Sequence, residues 1–527
     1  MRRRGTPAAA LLGALLAAAA NAAVPAGFTD ALVAGGLAAP TALAFAPDGR
    51  LLVTTQGGTL RVVQNGALVG TPALTIPASQ ICTDSERGLL GVAVDPAFGC
   101  NQSIYLFYTA ERPGGSCVNR VSRFTLPASN VVNPASELVL IDNMPSPNGN
   151  HNAGDLQFGK DGHLYVSIGE GGIASAARNE HVLTGKILRI TPGGGIPADN
   201  PFQGAGTARC NVTGSTTPGN RCQETYAWGL RNPFRLGFDP NAAGTRFFVN
   251  DVGAGAWEEI DLGQAGADYG WSCREGAHPT GSCPSLASMV DPIFEYAHDQ
   301  QIPGTTSPAS CNCASGGAFV PNGLWPGYDG AYLFGDCTCG GIFRLSQGGG
   351  GAWTAADFGS GLGTVVHLLF GPHGATQALY YTTFAGAGSV RRVTLDNPPS
   401  AAALRFFSLP PCRLADTRNP PGPSGGPALQ ACTSRTFAVG GLCGVPAAAK
   451  AVALNLTAVG PTGAGHLTAH PAGSLPPATS TLNFAAGQTR ANNAVLALGT
   501  NGQIAVLPVV PGGGAVHFVA DVVGWFE

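Results

Sequence analysis

Four short loops carry polar side chains that a purely structural chain has little use for. The first is Asn148-Gly149-Asn150-His151-Asn152-Ala153-Gly154. An imidazole here can accept a proton near neutral pH, and flanking asparagines can orient its ring. The second is Trp228-Gly229-Leu230-Arg231-Asn232-Pro233, which sets a fixed cation beside an amide, a pair suited to holding a carboxylate or carbonyl oxygen. The third runs Asn250-Asp251-Val252-Gly253-Ala254-Gly255-Ala256-Trp257-Glu258-Glu259-Ile260-Asp261. A glycine-rich turn exposes backbone carbonyls, carboxylates follow, and hard cations such as Ca²⁺ take such oxygens. The spacing is not that of an EF-hand. The fourth, Asp84-Ser85-Glu86-Arg87, reads equally well as an exposed ion pair.

The elements around these loops are hairpins. Leu43-Ala44-Phe45-Ala46-Pro47-Asp48-Gly49-Arg50-Leu51-Leu52-Val53 reads as two apolar strands of period two joined by a Pro-Asp-Gly turn. Variants span 92–106, 156–166, 236–249, 318–334 and 368–381. A single hairpin cannot bury its apolar faces, so six copies predict a six-bladed β-propeller with long insertions. The propeller is placed at 28–395, with 29–33 completing the last blade because an open edge is a liability. A linker at 396–404 leads to a second, small β-sandwich-like domain at 405–527, with strands near 451–458, 465–469, 480–484, 494–498, 504–508 and 516–523. The fold class is all-β. In a propeller the polar loops gather at one mouth of the central channel.

The 527 residues include 77 glycines and 41 prolines, a composition of strands and turns. Arg2-Arg3-Arg4, an apolar run over 8–20 and Ala20-Asn21-Ala22 predict a cleaved export signal at 1–22. No membrane span is expected after cleavage. Removing those three arginines takes the formal charge from −3 to −6, which argues against nucleic acid or anionic lipid as a partner. Fourteen cysteines in an exported chain, periplasmic or extracellular, imply disulfides. Nearness in sequence suggests Cys210–Cys222, Cys273–Cys283 and Cys432–Cys443, with Cys311 and Cys313 meeting Cys337 and Cys339; connectivity stays open. The paired Cys-x-Cys motifs lack the usual zinc-site spacing.

Taken in order along a six-bladed propeller, the four loops resemble the soluble quinoprotein aldose dehydrogenases, the glucose/sorbosone dehydrogenase family that uses pyrroloquinoline quinone (PQQ). The strand 181–190 adds to the likeness, which covers about 40–393. It implies that His151 is the general base and that Arg231 acts catalytically beside the quinone carbonyls. It implies that Asn232 is a second cofactor contact and that the carbonyls of Gly253 and Ala254 ligate Ca²⁺. Glu86 falls where glucose-oxidising members carry a substrate-binding glutamine. The implied reaction passes hydride from an aldose's anomeric carbon to PQQ, yields a lactone and needs an external electron acceptor. The tail resembles a module common in secreted bacterial proteins, through Cys412-Arg413-Leu414-Ala415-Asp416-Thr417-Arg418, 453–457, 481–489 and 520–526. That likeness implies an accessory domain contacting the cell surface or other secreted proteins.

Two departures stand out. The family presents a lysine in blade five, where this chain reads Asp336-Cys337-Thr338-Cys339-Gly340-Gly341. It also presents two arginines before the last blade, where this chain has 363–367 with only His367 as a partial substitute. Three lost charge-assisted hydrogen bonds cost on the order of 4–9 kcal/mol, about 10³–10⁶ in affinity. The competing reading is therefore a non-catalytic, disulfide-stabilised propeller binding glycans or surface proteins, like that of hedgehog-interacting proteins.

Overall fold

Each of the six repeats folds as an antiparallel hairpin, in nearly the register its alternation predicts. Leu43 faces Val53, Val92 faces Leu106, Leu156 faces Val166, Leu236 faces Val249 and Leu368 faces Tyr381. In the fifth repeat Ala318 faces Leu333. The structure, a computed structural model, describes residues 23–281, 283, 288–374, 376–398, 403–474, 476–477 and 479–527. The expected export signal at 1–22 and positions 399–402 of the expected linker lie outside the described residues.

Two further strands extend each hairpin into a blade. The first strands, Pro40–Phe45, Leu89–Val94, Leu156–Phe158, Pro233–Phe238, Ala314–Phe319 and Val365–His373, touch their neighbours in a closed ring, blade six against blade one. They are the inner strands. Phe28–Gly35 pairs with Ser389–Leu395 and supplies blade six with its outer strand, so the start of the propeller closes its end. One apolar cluster fills each of the six seams; Phe248 packs on Phe319 and Tyr332 between blades four and five, with ring centroids 4.6 and 5.0 Å away. Buried Arg235, on the inner strand of blade four, reaches across the axis to the carbonyls of Thr41, Leu90 and Val366 on blades one, two and six. One guanidinium thus ties four blades together, its five donors suited to several carbonyls at once.

The tail is a sandwich of two sheets. One orders Phe406–Asp416, Ala515–Phe526, Ala451–Val459 and Thr489–Ala497; the other orders Arg435–Ala438, Gln503–Val509, Gly465–Pro471 and Leu482–Phe484. Their facing apolar residues, among them Leu454, Leu456, Val506 and Phe518, form one core. The strands at 406–416 and 435–438 are additions to the expected set. The first breaks register between Ser408 and Cys412, where Pro410 and Pro411 have no N–H to give.

All fourteen cysteines are paired. Cys210–Cys222, Cys273–Cys283, Cys311–Cys339 and Cys313–Cys337 form as nearness suggested. The expected Cys432–Cys443 bridge does not. Cys443 is bonded to Cys412, and Cys432 to Cys100, which lies in the turn after the first strand of blade two. The turn that carries Cys443 lies against the strand of Cys412, its Sγ near the Arg413 carbonyl, and the contact between tail and propeller leaves Cys432 facing a partner 332 residues away. Among the described residues no helix is long and apolar enough to cross a membrane.

Candidate functional site

Antiparallel pairing puts two kinds of loop at the same mouth: the one entering each inner strand and the one following its second strand. Blade three shows the consequence. The Gly154 N–H donates to the Ser167 carbonyl (3.1 Å), so the loop carrying His151 lies across from Gly169-Glu170-Gly171. His151 Nδ1 is 2.5 Å from Glu170 Oε1. With its Nδ1 proton held by a buried carboxylate, the ring presents Nε2 as the acceptor, the tautomer a general base requires. Asn150 Nδ2 lies 3.1 Å from that Nε2 and fills the lone pair that a ligand hydroxyl would take over. Asn150 thus orients the ring as expected. Asn152 does not touch it; fully buried, its Oδ1 accepts hydrogen bonds from the Ser146 hydroxyl and the Asn119 amide and its Nδ2 donates to the Gly149 carbonyl, which shapes the loop.

His151 has φ +54°, a conformation non-glycine residues seldom adopt. Its neighbours hold it there. Glu86 Oε2 accepts from the N–H groups of His151 (2.8 Å) and Asn152 (3.4 Å), while the Glu86 N–H donates to the Gly149 carbonyl. The Gly171 N–H donates to the His151 carbonyl. Gly169 must lack a side chain, since a β-carbon there would collide with that carbonyl. Glu86 Oε2 also receives Asn232 Nδ2 at 3.3 Å. The structure therefore brings together His151, Glu86 and Asn232, the last two from different blades.

Blade four supplies the cation. The N–H groups of Arg231 and Asn232 donate to the two oxygens of Asp251 at 2.8 and 2.6 Å, fixing this turn to the end of the second strand. The Arg231 guanidinium donates to the Val252 carbonyl and lies over the Trp271 ring, 5.6 Å from its centroid. Burial pushes the Asp251 carboxyl up to about 7, against the pull of those two N–H groups.

Beyond Asp251 the chain turns at Gly253, where a β-carbon would collide with the Trp257 carbonyl. The N–H groups of Ala254, Gly255, Ala256 and Trp257 converge on Glu275 Oε1, at 2.7 to 3.1 Å. Burial raises Glu275, but those four donors outweigh it and hold the carboxyl below its usual range. With its N–H groups committed, the turn leaves the carbonyls of Gly253 and Ala254 without a donor among the described residues. Alongside, Glu259 Oε2 and both oxygens of Asp261 are buried with no partner. Burial, and repulsion among Asp251, Glu259 and Asp261, push the Glu259 and Asp261 carboxyls well up. Unfilled carbonyls are ligands a hard cation takes, so the turn at Gly253 and Ala254 suits Ca²⁺, whereas the carboxylates of Asp251, Glu259 and Asp261 do not gather closely enough to form a metal-holding cluster by themselves.

The fit to PQQ is best at the quinone end. Trp271 Nε1, on the ring beneath the Arg231 guanidinium, is a buried donor without a partner, which a quinone oxygen would satisfy; Asn232 Oδ1, Asn150 Oδ1 and Glu170 Oε2 are also unpartnered, but as acceptors they call for a donor and not for a quinone oxygen. The carboxylate end lacks its lysine. Blade five's turn is instead laced by Cys311–Cys339 and Cys313–Cys337. Lys160 donates to the carbonyls of Pro240 and Ala242, and buried Lys186 to those of Ala176, Ala177 and Thr184. His367 is no substitute either. It is buried, its Nδ1 accepts from the Leu43 N–H, and desolvation drives it down to about 4, so it is neutral.

Glu170 and Glu275 are functional neighbours that sequence reasoning missed, and Asp251, named in the third loop, was given no role of its own there. The only signal for Glu170 is a lone carboxylate within Ile168-Gly169-Glu170-Gly171-Gly172, directly after a strand.

A six-bladed ring with a carboxylate-backed histidine, an arginine and a carbonyl-lined turn at one mouth is the architecture of a propeller oxidoreductase. The family model "Glucose / Sorbosone dehydrogenase" matches residues 37–364, and the chain belongs to that family. It is 30% identical over 234 residues to the aldose sugar dehydrogenase YliI of Escherichia coli (strain K12), covering 44% of this chain and 58% of that one. It is 28% identical over 227 residues to the hedgehog-interacting protein of Mus musculus, covering 39% and 31%. The chain thus spans less than two thirds of either relative. Among solved structures, the apo-form of the soluble aldose sugar dehydrogenase of Escherichia coli aligns with a TM-score of 0.57 at 25% identity, covering 70% of this chain and 99% of that one.

Proposed function

We propose that the protein is an exported dehydrogenase that oxidises an aldose at its anomeric carbon to the lactone, with PQQ and Ca²⁺ as cofactors. The observation that carries this reading is the His151–Glu170 pair, since a binding propeller has no use for an imidazole with its tautomer set by a buried carboxylate. His151 Nε2 takes the proton of the anomeric hydroxyl, displacing the Asn150 amide. Glu170 balances the positive charge that then forms on the ring. Arg231 and Asn232 would hold the quinone oxygens, and the carbonyls of Gly253 and Ala254 the cation. Glu86 would touch the sugar. When bound, the quinone supplies the acceptor for the hydride that leaves the same carbon, and an external electron acceptor regenerates it.

The test is to incubate the full-length protein with PQQ and Ca²⁺ and assay an aldose panel with an artificial electron acceptor. PQQ-dependent turnover is expected, and His151→Ala should lower kcat by about 10²–10⁴ with little change in melting temperature. The missing lysine at the disulfide-laced turn of blade five favours a second reading, a non-catalytic propeller that binds glycans or surface proteins. No turnover, together with no PQQ binding by calorimetry, would put that reading in its place.

A further inference from the structure

The chemistry proposed for His151 gives one charged group at the mouth, Glu86, a contact with the sugar and no stated selectivity. Glu86 Oε2 is committed to the N–H groups of His151 and Asn152 and to the Asn232 amide. Its Oε1 takes no hydrogen bond, and it is not among the oxygens closed off inside the fold, Glu86 being only half-buried. No lysine, arginine or histidine lies within ion-pair distance of this carboxylate among the described residues. The nearby cations are spoken for. Arg87 is turned onto Asp84 and Ser146, and Arg231 onto the Val252 carbonyl and the Trp271 ring.

The other partnerless oxygens near His151 are enclosed. Asn232, 4% exposed, gives its Nδ2 to Glu86, and its Oδ1 has no partner. Glu170, 3% exposed, gives Oε1 to His151, and its Oε2 has no partner. Those two oxygens are closed off inside the fold, so Glu86 Oε1 is the acceptor beside His151 that stays open to a ligand. A neutral hydroxyl offers a single proton; an ammonium offers three donors and the missing positive charge. Glu86 grips the backbone of His151 itself, which ties its carboxylate to the loop that carries the imidazole.

We propose that Glu86 selects a substrate bearing a cationic amine, an amino aldose, over the neutral sugar of the same shape. This rests on the dehydrogenase reading for its chemistry and not for its binding. A charge-assisted hydrogen bond contributes about 1.5–3 kcal/mol; because the carboxylate is half-exposed, the lower end applies, about tenfold in affinity.

The experiment is calorimetry on the full-length protein at pH 6, with glucosamine, N-acetylglucosamine and glucose as probes, for the wild type and Glu86→Gln. The glutamine keeps an oxygen for the His151 N–H, and Glu86→Asp serves as a charge-retaining control; a cooperative melt confirms that each variant is folded. Glucosamine should bind about tenfold more tightly than either neutral sugar, and Glu86→Gln should bring the three affinities together. Equal affinities in the wild type, a preference that survives Glu86→Gln, or no sugar binding at all would overturn the proposal. Amine-selective binding without PQQ-dependent turnover would leave it standing and sink the dehydrogenase reading instead.

Discussion

Replacing Glu170 by Gln changes one oxygen to an amide nitrogen at the group that backs His151. The carboxylate bond to Nδ1 is charge-assisted, and its neutral replacement is weaker by about 1–2 kcal/mol. The amide also has no good orientation. If its oxygen takes the Nδ1 proton, its NH₂ sits where Glu170 Oε2 is now buried without a partner, at a further cost of about 1–3 kcal/mol. If it turns over, the NH₂ donates to Nδ1, the ring proton moves to Nε2, and the base is lost. Either way kcat should fall on the order of 10²-fold. The assay is turnover of PQQ-loaded protein at saturating aldose and acceptor, beside a thermal melt. Glu170→Asp, which keeps the charge, should recover part of the loss. A Glu170→Gln protein within threefold of wild-type kcat would refute the reasoning, because the carboxylate would then be neither setting the tautomer nor balancing the imidazolium.

The carboxyls of Asp251, Glu259 and Asp261 are raised in the folded chain, so they cost nothing below about pH 4 and progressively destabilise the cation-free protein as pH rises above that, for Asp251 up to about 7. Ca²⁺ should therefore raise the melting temperature more at pH 8 than at pH 5, and a scan with and without chelator checks this; an equal shift at both values, or none, contradicts the cation assignment. A chain ending at residue 398 should fold, because each blade is completed before that point, but it strips Cys100 of its partner. Thiol titration should then find one free cysteine, and non-reducing gels should show covalent dimers that Cys100→Ser abolishes; an insoluble product would show that the propeller needs the tail.

The propeller was legible because its information is local: alternation across a Pro-Asp-Gly or Gly-containing turn sets both strand and register, as for Leu43 and Val53. Closure by Phe28–Gly35 followed from the cost of a free edge. The candidate site was legible as far as its loops carried unusual residues, which is why His151, Arg231 and Asn232 stood out. Glu170 did not, because its partner lies across a blade and only hairpin pairing brings the two together. The strand at 406–416 hid behind two prolines that argue against a strand until the bulge accommodating them is seen. Cys100–Cys432 was beyond reach, since no local rule joins residues 332 positions apart.

The bond between Cys100 and Cys432 also sets which way the molecule faces. Cys100 sits in the turn between the first two strands of blade two, on the side of the ring away from His151. The last strand of the ring, Ser389–Leu395, runs down from the mouth and delivers the chain toward the tail on that same far side. The sandwich is therefore moored by two covalent tethers beneath the propeller and cannot swing round as a lid. Were the tail to grip a cell wall or a companion protein, the ring would stand on it like a cup on a saucer, its opening turned outward to whatever diffuses past.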